Sequence, residues 1–287
     1  MSGAILVTGA TGRTGSEVVQ VLSKNGFHIK ATAITGESTQ HIKLPNVEII
    51  NMNYEEPESV KSVIQGVEKI FLVTPVNPKM ADYVNLLVEQ AKISNIKHIV
   101  YLSAMGVEAE PNIQIGKWHK QAEEIIENSG IPYTILRPNS YMQNYLTFYL
   151  NPIKTQNVIY ISYGTGKISL IDVRDVAEVV LKVLTNPKHI NRKYTLTGSK
   201  TLDNYQVAEI MSNAIGRRIR CQEITSVEEK KMMKDMGFTD WFIDMLVELN
   251  EAWKTGYGAI VEPDVEMILL RPATSFEQFC KEYADKW

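Results

Sequence analysis

The chain has 287 residues, a formal net charge of −3 and a hydrophobic fraction of 44%. This length allows one large domain or two, and the composition is ordinary for a globular protein with a sizeable core. The lack of a basic excess disfavours a broad nucleic-acid-binding surface, and no apolar run is long enough to cross a bilayer. We therefore expect a soluble, cytoplasmic protein, monomeric or homodimeric, that acts on a small molecule.

A glycine-rich turn follows the first predicted strand, Ile5–Val7, and leads directly into a predicted helix, Ser16–Ser23. The first glycine, Gly9, permits a tight turn, Gly12 lets the backbone approach a pyrophosphate, and Gly15 allows the helix to pack closely against the strand. The free N–H groups of the helix N-terminus favour phosphate. The pattern predicts a dinucleotide site that includes Gly9, Thr11, Gly12, Arg13, Thr14 and Gly15.

The end of the second predicted strand, His28–Ile34, bears on the choice of cofactor. An Asp or Glu about twenty residues beyond the glycines binds the ribose 2′-hydroxyl of NAD, whereas a nearby Arg accommodates the 2′-phosphate of NADP. Thr35 occupies this position, and Arg13 can meet a 2′-phosphate with help from the hydroxyls of Thr35 and Ser38. The sequence therefore favours NADP(H), with NAD(H) possible.

Strands and helices go on alternating as far as Pro138. The further predicted strands are Val47–Met52, Ile70–Thr74, Ile99–Ser103 and Tyr133–Leu136, and the predicted helices are Pro57–Gln65, Met80–Ser94 and Trp118–Asn128. This alternation predicts an α/β fold with a Rossmann-type, doubly wound parallel sheet. Ligands of such sheets bind beyond the carboxyl ends of the strands. Further cofactor contacts are predicted at Asn53, Thr74, Pro75, Ser103, Lys117 and Pro138.

The pattern changes after Pro138. We predict an aromatic helix at Tyr141–Leu150, a helix at Arg174–Leu184, and a final helix at Phe276–Lys286 that begins with a Thr274-x-x-Glu277 capping box. Asp172 and Asp175 fit the start of a helix better than a catalytic carboxylate pair. Residues 1–150 are predicted to form the NAD(P)-binding domain, to which segments around 158–195 return. Residues 196–287 are predicted to form a smaller, mainly helical substrate lobe.

The two cysteines, Cys221 and Cys280, are far apart in the chain, and the five histidines do not occur at metal-ligand spacing. This pattern suggests neither a disulfide framework nor a metal site. Both cysteines are interpreted as reduced packing residues.

Motifs spread over nearly the whole chain resemble those of the NmrA-like branch of the atypical short-chain dehydrogenase/reductases. They are residues 7–15 (VTGATGRTG), 100–103 (VYLS), 119–123 (HKQAE), 131–138 (IPYTILRP) and 276–279 (FEQF). The resemblance implies an NAD(P)-binding Rossmann domain with a small C-terminal substrate lobe. Members include NADPH-dependent quinone reductases, triphenylmethane-dye reductases, isoflavone-type reductases and redox-sensing regulators that bind the cofactor without turnover.

One departure from the larger superfamily bears on mechanism. Typical short-chain dehydrogenases place a Tyr and a Lys four residues apart on a helix, as proton donor and its activator. The matching positions here are Ile115 and His119. Tyr163 and Lys167 have the same spacing, but they span Gly164 and Gly166 in a predicted loop and are interpreted as coincidence. The sequence thus favours direct hydride transfer to a planar, electrophilic acceptor: a quinone, a conjugated cation, an iminium ion or an activated double bond.

His119 and Tyr141 are the candidate catalytic side chains. His119 shares a helix face with Glu123, so it either contacts the nicotinamide ribose or relays a proton, or it is a border histidine that Glu123 holds. The predicted substrate contacts are Asn139, Tyr141, Met142 and Tyr145, although a Met and aromatic stripe is also typical of a core or a dimer contact. A redox-sensing regulator is the competing function, whereas the missing tyrosine disfavours a sugar epimerase or dehydratase.

Overall fold

The computed structural model describes residues 3–108 and 113–287, which form two compact units. The described residues of unit 1 come from 3–107, 117–137 and 173–195. Those of unit 2 come from 108, 113–116, 138–172 and 196–287. Residues 138–172 thus group with the C-terminal part of the chain, whereas the predicted limits of the two functional domains stay a prediction.

Nine strands and eleven α-helices make up the regular structure of the described residues. The strands are β1 (Ala4–Val7), β2 (Ile29–Ala33), β3 (Val47–Asn51), β4 (Val67–Leu72), β5 (His98–Leu102), β6 (Tyr133–Pro138), β7 (Val158–Ile161), β8 (Arg192–Leu196) and β9 (Arg220–Glu223). The helices are α1 (Arg13–Lys24), α2 (Pro57–Val63), α3 (Met80–Ile93), α4 (Gln114–Glu127), α5 (Leu150–Gln156), α6 (Val173–Thr185), α7 (Asn204–Ile215), α8 (Ser226–Asp235), α9 (Asp240–Lys254), α10 (Asp264–Leu269) and α11 (Phe276–Glu282).

Unit 1 is built on a seven-stranded sheet in the order β3-β2-β1-β4-β5-β6-β8. The pairings from β3 through β6 are parallel. The chain proceeds outward from β1 to β3 and then crosses to β4 on the other side, so the strand order reverses between β1 and β4. This is the doubly wound α/β fold that the sequence predicts, and the prediction is confirmed. The reversal lies where such sheets bind dinucleotides.

Apolar helix faces cover the sheet of unit 1. α1 buries Val18, Val19 and Leu22 and packs against α6. α2 and α3 contribute to another core, which surrounds the fully buried side chains of Leu6 and Tyr101. Strands that are covered on both faces are apolar along their whole length. This is why β1 and β5 could be predicted from short apolar runs in the sequence.

Unit 2 is mainly helical, with a two-stranded parallel sheet of β7 and β9. α7 begins with a capping box, in which the Asp203 side chain accepts from the Gln206 N–H and the Gln206 side chain accepts from the Asp203 N–H. It ends at Gly216, whose φ of +70° is left-handed, as helix ends commonly require. The core of this unit contains Phe276, Phe279 and other aromatic side chains.

Two predicted elements of unit 2 are wrong. The aromatic segment Tyr141–Leu150 is not one helix, because a 3₁₀ helix occupies Met142–Leu146 and α5 starts only at Leu150. The capping box at Thr274 is also misplaced by one residue, since Ser275 is the N-cap and its hydroxyl accepts from the Gln278 N–H at 3.1 Å.

Several predictions about single residues can be compared with the structure. Asp172 directly precedes α6 and Asp175 lies in its first turn, as the capping interpretation requires. Cys221 is half-buried and Cys280 is buried, and both are free thiols. Among the described residues, no helix is both long and apolar enough to cross a membrane.

Candidate functional site

The glycine-rich turn between β1 and α1 is shaped by close backbone contacts. Gly9 has a φ of +57°, in the left-handed region that favours glycine. A Cβ atom on Gly15 would lie 2.1 Å from the carbonyl oxygen of Gly9, whereas one on Gly12 would meet the same oxygen at 3.2 Å. Gly15 is therefore required by the close packing of α1 against the turn. Gly12 is not required in this way, and its lack of a side chain leaves space beside the turn.

The N-terminus of α1 is open to an anion. Gly12 is the N-cap residue, in extended conformation and with no side-chain capping bond. The first N–H groups of a helix have no partner within the helix, and the N-cap residue, Gly12, has no side chain that could accept from them. Arg13 is half-buried, and Thr14 and Gly15 are buried in the first turn. Backbone donors and helix dipole thus combine into a site that suits a diphosphate.

The carboxyl ends of β1 and β4 meet beside this turn. The Thr8 hydroxyl donates to the Val73 carbonyl and accepts from the Val73 N–H, both at 2.7 Å. The next residue, Thr74, is buried, and its hydroxyl has no hydrogen-bond partner of normal geometry in residues 3–108 and 113–287. The Tyr101 hydroxyl interacts weakly with it. A buried hydroxyl without a well-formed hydrogen bond, at the switch point of the sheet, fits a site that binds a polar ligand.

Two other predicted cofactor residues lie on neighbouring loops. Asn53 organises the start of α2, because its N–H donates to Ser59 Oγ and its side-chain oxygen accepts from the Glu55 N–H. Pro75 is exposed. Both follow the carboxyl ends of strands, as the sequence predicts, and their contacts with a cofactor stay a prediction.

The loop after β2 contains an acid that the sequence analysis left out. Thr35, the predicted 2′-phosphate contact, is exposed, and its hydroxyl donates to the Asn51 side chain at 3.0 Å. Two residues later, Glu37 Oε2 accepts from the Thr11 hydroxyl at 2.8 Å and from the Ile34 N–H at 2.9 Å. The acid thus lies against the glycine-rich turn. A search for an acidic residue within two positions of Thr35 in the sequence would have found Glu37.

A buried ion-pair network lies beyond β5 and β6. The Glu123 carboxylate is nearly inaccessible, and it accepts from Arg137 Nε at 3.0 Å and from Arg137 Nη2 at 2.6 Å. The Ser103 hydroxyl also donates to Glu123, and Lys193 Nζ lies 3.6 Å from the same carboxylate. The hydroxyl of Ser103, a predicted cofactor contact, is thus engaged within the protein.

His119 pairs with a tyrosine rather than with Glu123. Its Nδ1 lies 3.0 Å from the Tyr101 hydroxyl, and both side chains are buried. Of the two alternatives for His119, the one in which Glu123 holds the imidazole is wrong, because Arg137 and Ser103 occupy that carboxylate. Burial lowers the pKa of His119 to about 4 and raises that of Tyr101. Both groups are neutral near pH 7.

Lys117 and Pro138 differ in accessibility. Lys117 is exposed in the first turn of α4, whereas Pro138 is buried at the end of β6. Their predicted roles as cofactor contacts stay predictions.

The predicted substrate residues lie in unit 2, and most are buried there. Asn139 donates to Ser169 Oγ at 2.7 Å and to the Gly258 carbonyl at 3.0 Å. Met142 belongs to the core of the unit, and the hydroxyl of Tyr145, also a core residue, donates to Asn204 at 2.6 Å. Tyr141 alone of the four is half-buried. The structure thus leaves Tyr141 more accessible to a ligand than the other three.

Tyr163 and Lys167 do not form a catalytic pair. Tyr163 is buried and its hydroxyl accepts from Asn204 at 2.6 Å, whereas Lys167 is exposed. The interpretation of their spacing as coincidence agrees with this geometry.

Similarity to known proteins extends over almost the whole chain. The sequence pattern of the NmrA-like family matches residues 1–270. The NAD(P)H azoreductase of Xenophilus azovorans is 33% identical over 280 residues, which cover 98% of each chain. Quinone oxidoreductase 2 of Escherichia coli is 26% identical over 249 residues, 85% of this chain and 86% of the relative. The solved structure of a Citrobacter sp. triphenylmethane reductase is 25% identical, has a TM-score of 0.86, and covers 98% of this chain and 99% of its own.

Proposed function

Because this chain belongs to the NmrA-like family, we propose that it is an NAD(P)H-dependent reductase that transfers hydride to a planar, electrophilic organic acceptor. The observation that carries the proposal is the glycine-rich turn, which leads directly into the N-terminus of α1 and places a glycine at its N-cap position. The azoreductase and quinone oxidoreductase relatives support the same chemistry.

We expect unit 1 to bind the dinucleotide through its main chain and through nearby hydroxyls. The turn from Gly9 to Gly15 would hold the pyrophosphate, and Thr74 would supply its buried hydroxyl, which makes no well-formed hydrogen bond with the described residues. Arg13 is the proposed partner of a 2′-phosphate when NADPH is bound. The reduced nicotinamide, when bound, supplies the hydride.

The side chains around His119 support the proposed type of acceptor. A ketone needs a proton donor for the alkoxide that forms on reduction. His119 stands in one of the two positions where typical short-chain dehydrogenases carry the Tyr and Lys. With its pKa lowered to about 4, its imidazole is neutral near pH 7. A neutral ring engaged with Tyr101 is a poor proton donor, so acceptors that delocalise the incoming charge themselves are favoured.

Azo compounds, quinones and conjugated cations share this property, and azo compounds and quinones are also flat. The protein then contributes orientation and a dry pocket more than acid catalysis. Tyr141 is proposed to contact such an acceptor, since its side chain is accessible in unit 2. A direct role of His119 in the reaction stays a prediction.

A turnover assay with matched acceptors tests the proposal. NADH and NADPH oxidation is followed through the loss of nicotinamide absorbance with an azo dye, a 1,4-quinone, a triphenylmethane cation and an isolated aliphatic ketone. We expect turnover with at least one of the first three and none with the ketone. The Gly12→Ala variant should lose turnover, and the Gln20→Ala variant, changed on the exposed face of α1, should retain it.

The same assay separates the enzyme from a regulator. Cofactor binding without turnover of any delocalised acceptor would contradict the reductase and favour a redox sensor. If turnover occurs and the ketone is reduced as fast as the quinone, the argument from the missing proton donor fails, although a reductase remains.

A further inference from the structure

We propose that Glu37 sets the cofactor preference of this chain, by accepting a hydrogen bond from the adenosine ribose 2′-hydroxyl and by opposing a 2′-phosphate. This inference rests on the proposed binding of a nicotinamide dinucleotide in unit 1. It predicts that NADH binds more tightly than NADPH, in contrast to the preference inferred from Arg13 and Thr35.

Glu37 is held in a fixed position by the backbone of its own loop. β2 ends at Ala33, and the chain turns back so that the Glu37 N–H donates to the Ile34 carbonyl at 3.1 Å. The Ile34 N–H in turn donates to Glu37 Oε2 at 2.9 Å. These two bonds close the turn and direct the carboxylate to the carboxyl end of β2, where the adenosine ribose lies in dinucleotide folds.

The same carboxylate is bound to the glycine-rich turn. The Thr11 hydroxyl donates to Glu37 Oε2 at 2.8 Å, and Nε2 of His41, from the same loop, lies 3.3 Å from the Thr11 carbonyl oxygen. Two side chains of the loop therefore fix one residue of the turn that would hold the pyrophosphate. The position of the carboxylate relative to the glycine-rich turn is therefore set by this contact and not by a free side-chain rotation.

One oxygen of Glu37 is available for a ligand. Both hydrogen bonds described above go to Oε2, and Oε1 makes none with the described residues. The side chain is exposed. Oε1 can accept from a ribose hydroxyl, as acids in this region of NAD-binding folds do. A 2′-phosphate would instead place a charge of about −1.5 to −2 beside a carboxylate.

Binding calorimetry with NADH and NADPH in the absence of any acceptor tests the inference. For the unaltered chain we expect a larger Kd for NADPH than for NADH. Glu37→Gln keeps the shape and an acceptor for the Ile34 N–H but removes the charge. It should lower the ratio of the NADPH Kd to the NADH Kd by about tenfold or more, through a lost charged hydrogen bond and a lost repulsion.

Two further variants complete the design. Glu48→Gln removes an exposed acid near the amino end of β3, opposite the turn, and should leave the ratio unchanged. Thr11→Val keeps the carboxylate but removes the hydroxyl that positions it, and should lower the ratio by a smaller factor than Glu37→Gln.

The outcomes are distinct. An unchanged ratio in Glu37→Gln overturns the inference while cofactor binding, and with it the proposed function, stands. Equal shifts in Glu37→Gln and Glu48→Gln also overturn it, since the effect would then be one of net charge. If neither nucleotide binds to the unaltered chain, the proposed function fails and this inference fails with it.

Discussion

Replacing Gly15 by alanine tests how the glycine-rich turn is built. The added Cβ would lie 2.1 Å from the Gly9 carbonyl oxygen, 2.8 Å from its carbonyl carbon and 2.9 Å from the Ala10 Cα. All three are backbone atoms, so no side-chain rotation can relieve the contact. Since unstrained contacts of a carbon atom need about 3.5 Å, the shortest contact falls short by about 1.4 Å, and the turn and α1 must separate by about that distance.

The magnitude follows from two opposing effects. Overpacking of this kind costs about 1–3 kcal/mol, and rigid backbone contacts place Gly15→Ala near the upper end. Alanine recovers about 1 kcal/mol over glycine within a helix. We expect a net loss of about 2 kcal/mol in the free energy of unfolding, or about 4–8 °C in Tm.

Gly12→Ala is the matched variant. Its Cβ would meet the Gly9 carbonyl oxygen at 3.2 Å, and its φ of −75° suits any residue. We expect a loss of less than about 1 kcal/mol in stability, but weaker nucleotide binding, because the methyl group stands where the pyrophosphate would approach. Thermal unfolding and nucleotide titration of both variants measure the two effects. A Gly15→Ala protein with the original Tm would refute the packing argument.

Three other predictions concern buried polar groups. Arg137→Met leaves the Glu123 carboxylate buried with less compensation, and should cost about 3 kcal/mol in urea unfolding. His119→Gln should reduce the loss of stability on acidification. The pKa of His119 in the folded protein, about 4, is below its value in the unfolded chain, so the unfolded state binds more protons between pH 6.5 and 4. The free energy of unfolding of the unaltered protein therefore falls as the pH falls through that range. This histidine contributes about 2 kcal/mol of that loss by pH 4.5. Tyr145→Phe leaves the buried Asn204 without one partner, and should cost about 1–3 kcal/mol in thermal unfolding.

Each of these has a contradicting result. If the double variant of Arg137→Met with Glu123→Leu is no more stable than Arg137→Met alone, an uncompensated charge is not the cause. An unaltered pH slope in His119→Gln would show that the buried imidazole does not carry the acid sensitivity. A Tyr145→Phe protein of full stability would indicate that Asn204 finds another partner.

The sheet of unit 1 was predictable because its signals are local. A short apolar run such as Ile5–Val7 predicts a strand, and a following turn with glycine at fixed spacing predicts the helix next to it. The conformation of Tyr141–Leu150 could not be predicted in the same way. Its aromatic residues have helical spacing, but the backbone is divided between a 3₁₀ helix and α5. There, packing of Tyr145 against Tyr149 and Phe276 decides the conformation.

The sequence predicts the candidate site only where a single continuous segment of the chain forms it. The glycine-rich turn needs no partner to be recognised. The contacts between Thr11 and Glu37 and between Tyr101 and His119 join residues 26 and 18 positions apart. Thr11 and Glu37 meet because the neighbouring strands β1 and β2 bring the loops that follow them together. Tyr101 and His119 meet because the fold places α4 beside β5. No short sequence pattern records either contact.

The division of unit 1 into three segments bears on its synthesis. α6 covers the apolar face of α1, yet it belongs to residues 173–195, which the ribosome makes well after residue 107. At about 5–20 residues per second, roughly 8–32 s pass between the synthesis of the end of α1 and that of the end of α6. During that interval α1, whose buried residues include Val18, Val19 and Leu22, lacks the helix that packs against it. A nascent chain that stalls within residues 138–172 would therefore expose the apolar face of an amphipathic helix. Translation pauses in that segment should favour aggregation.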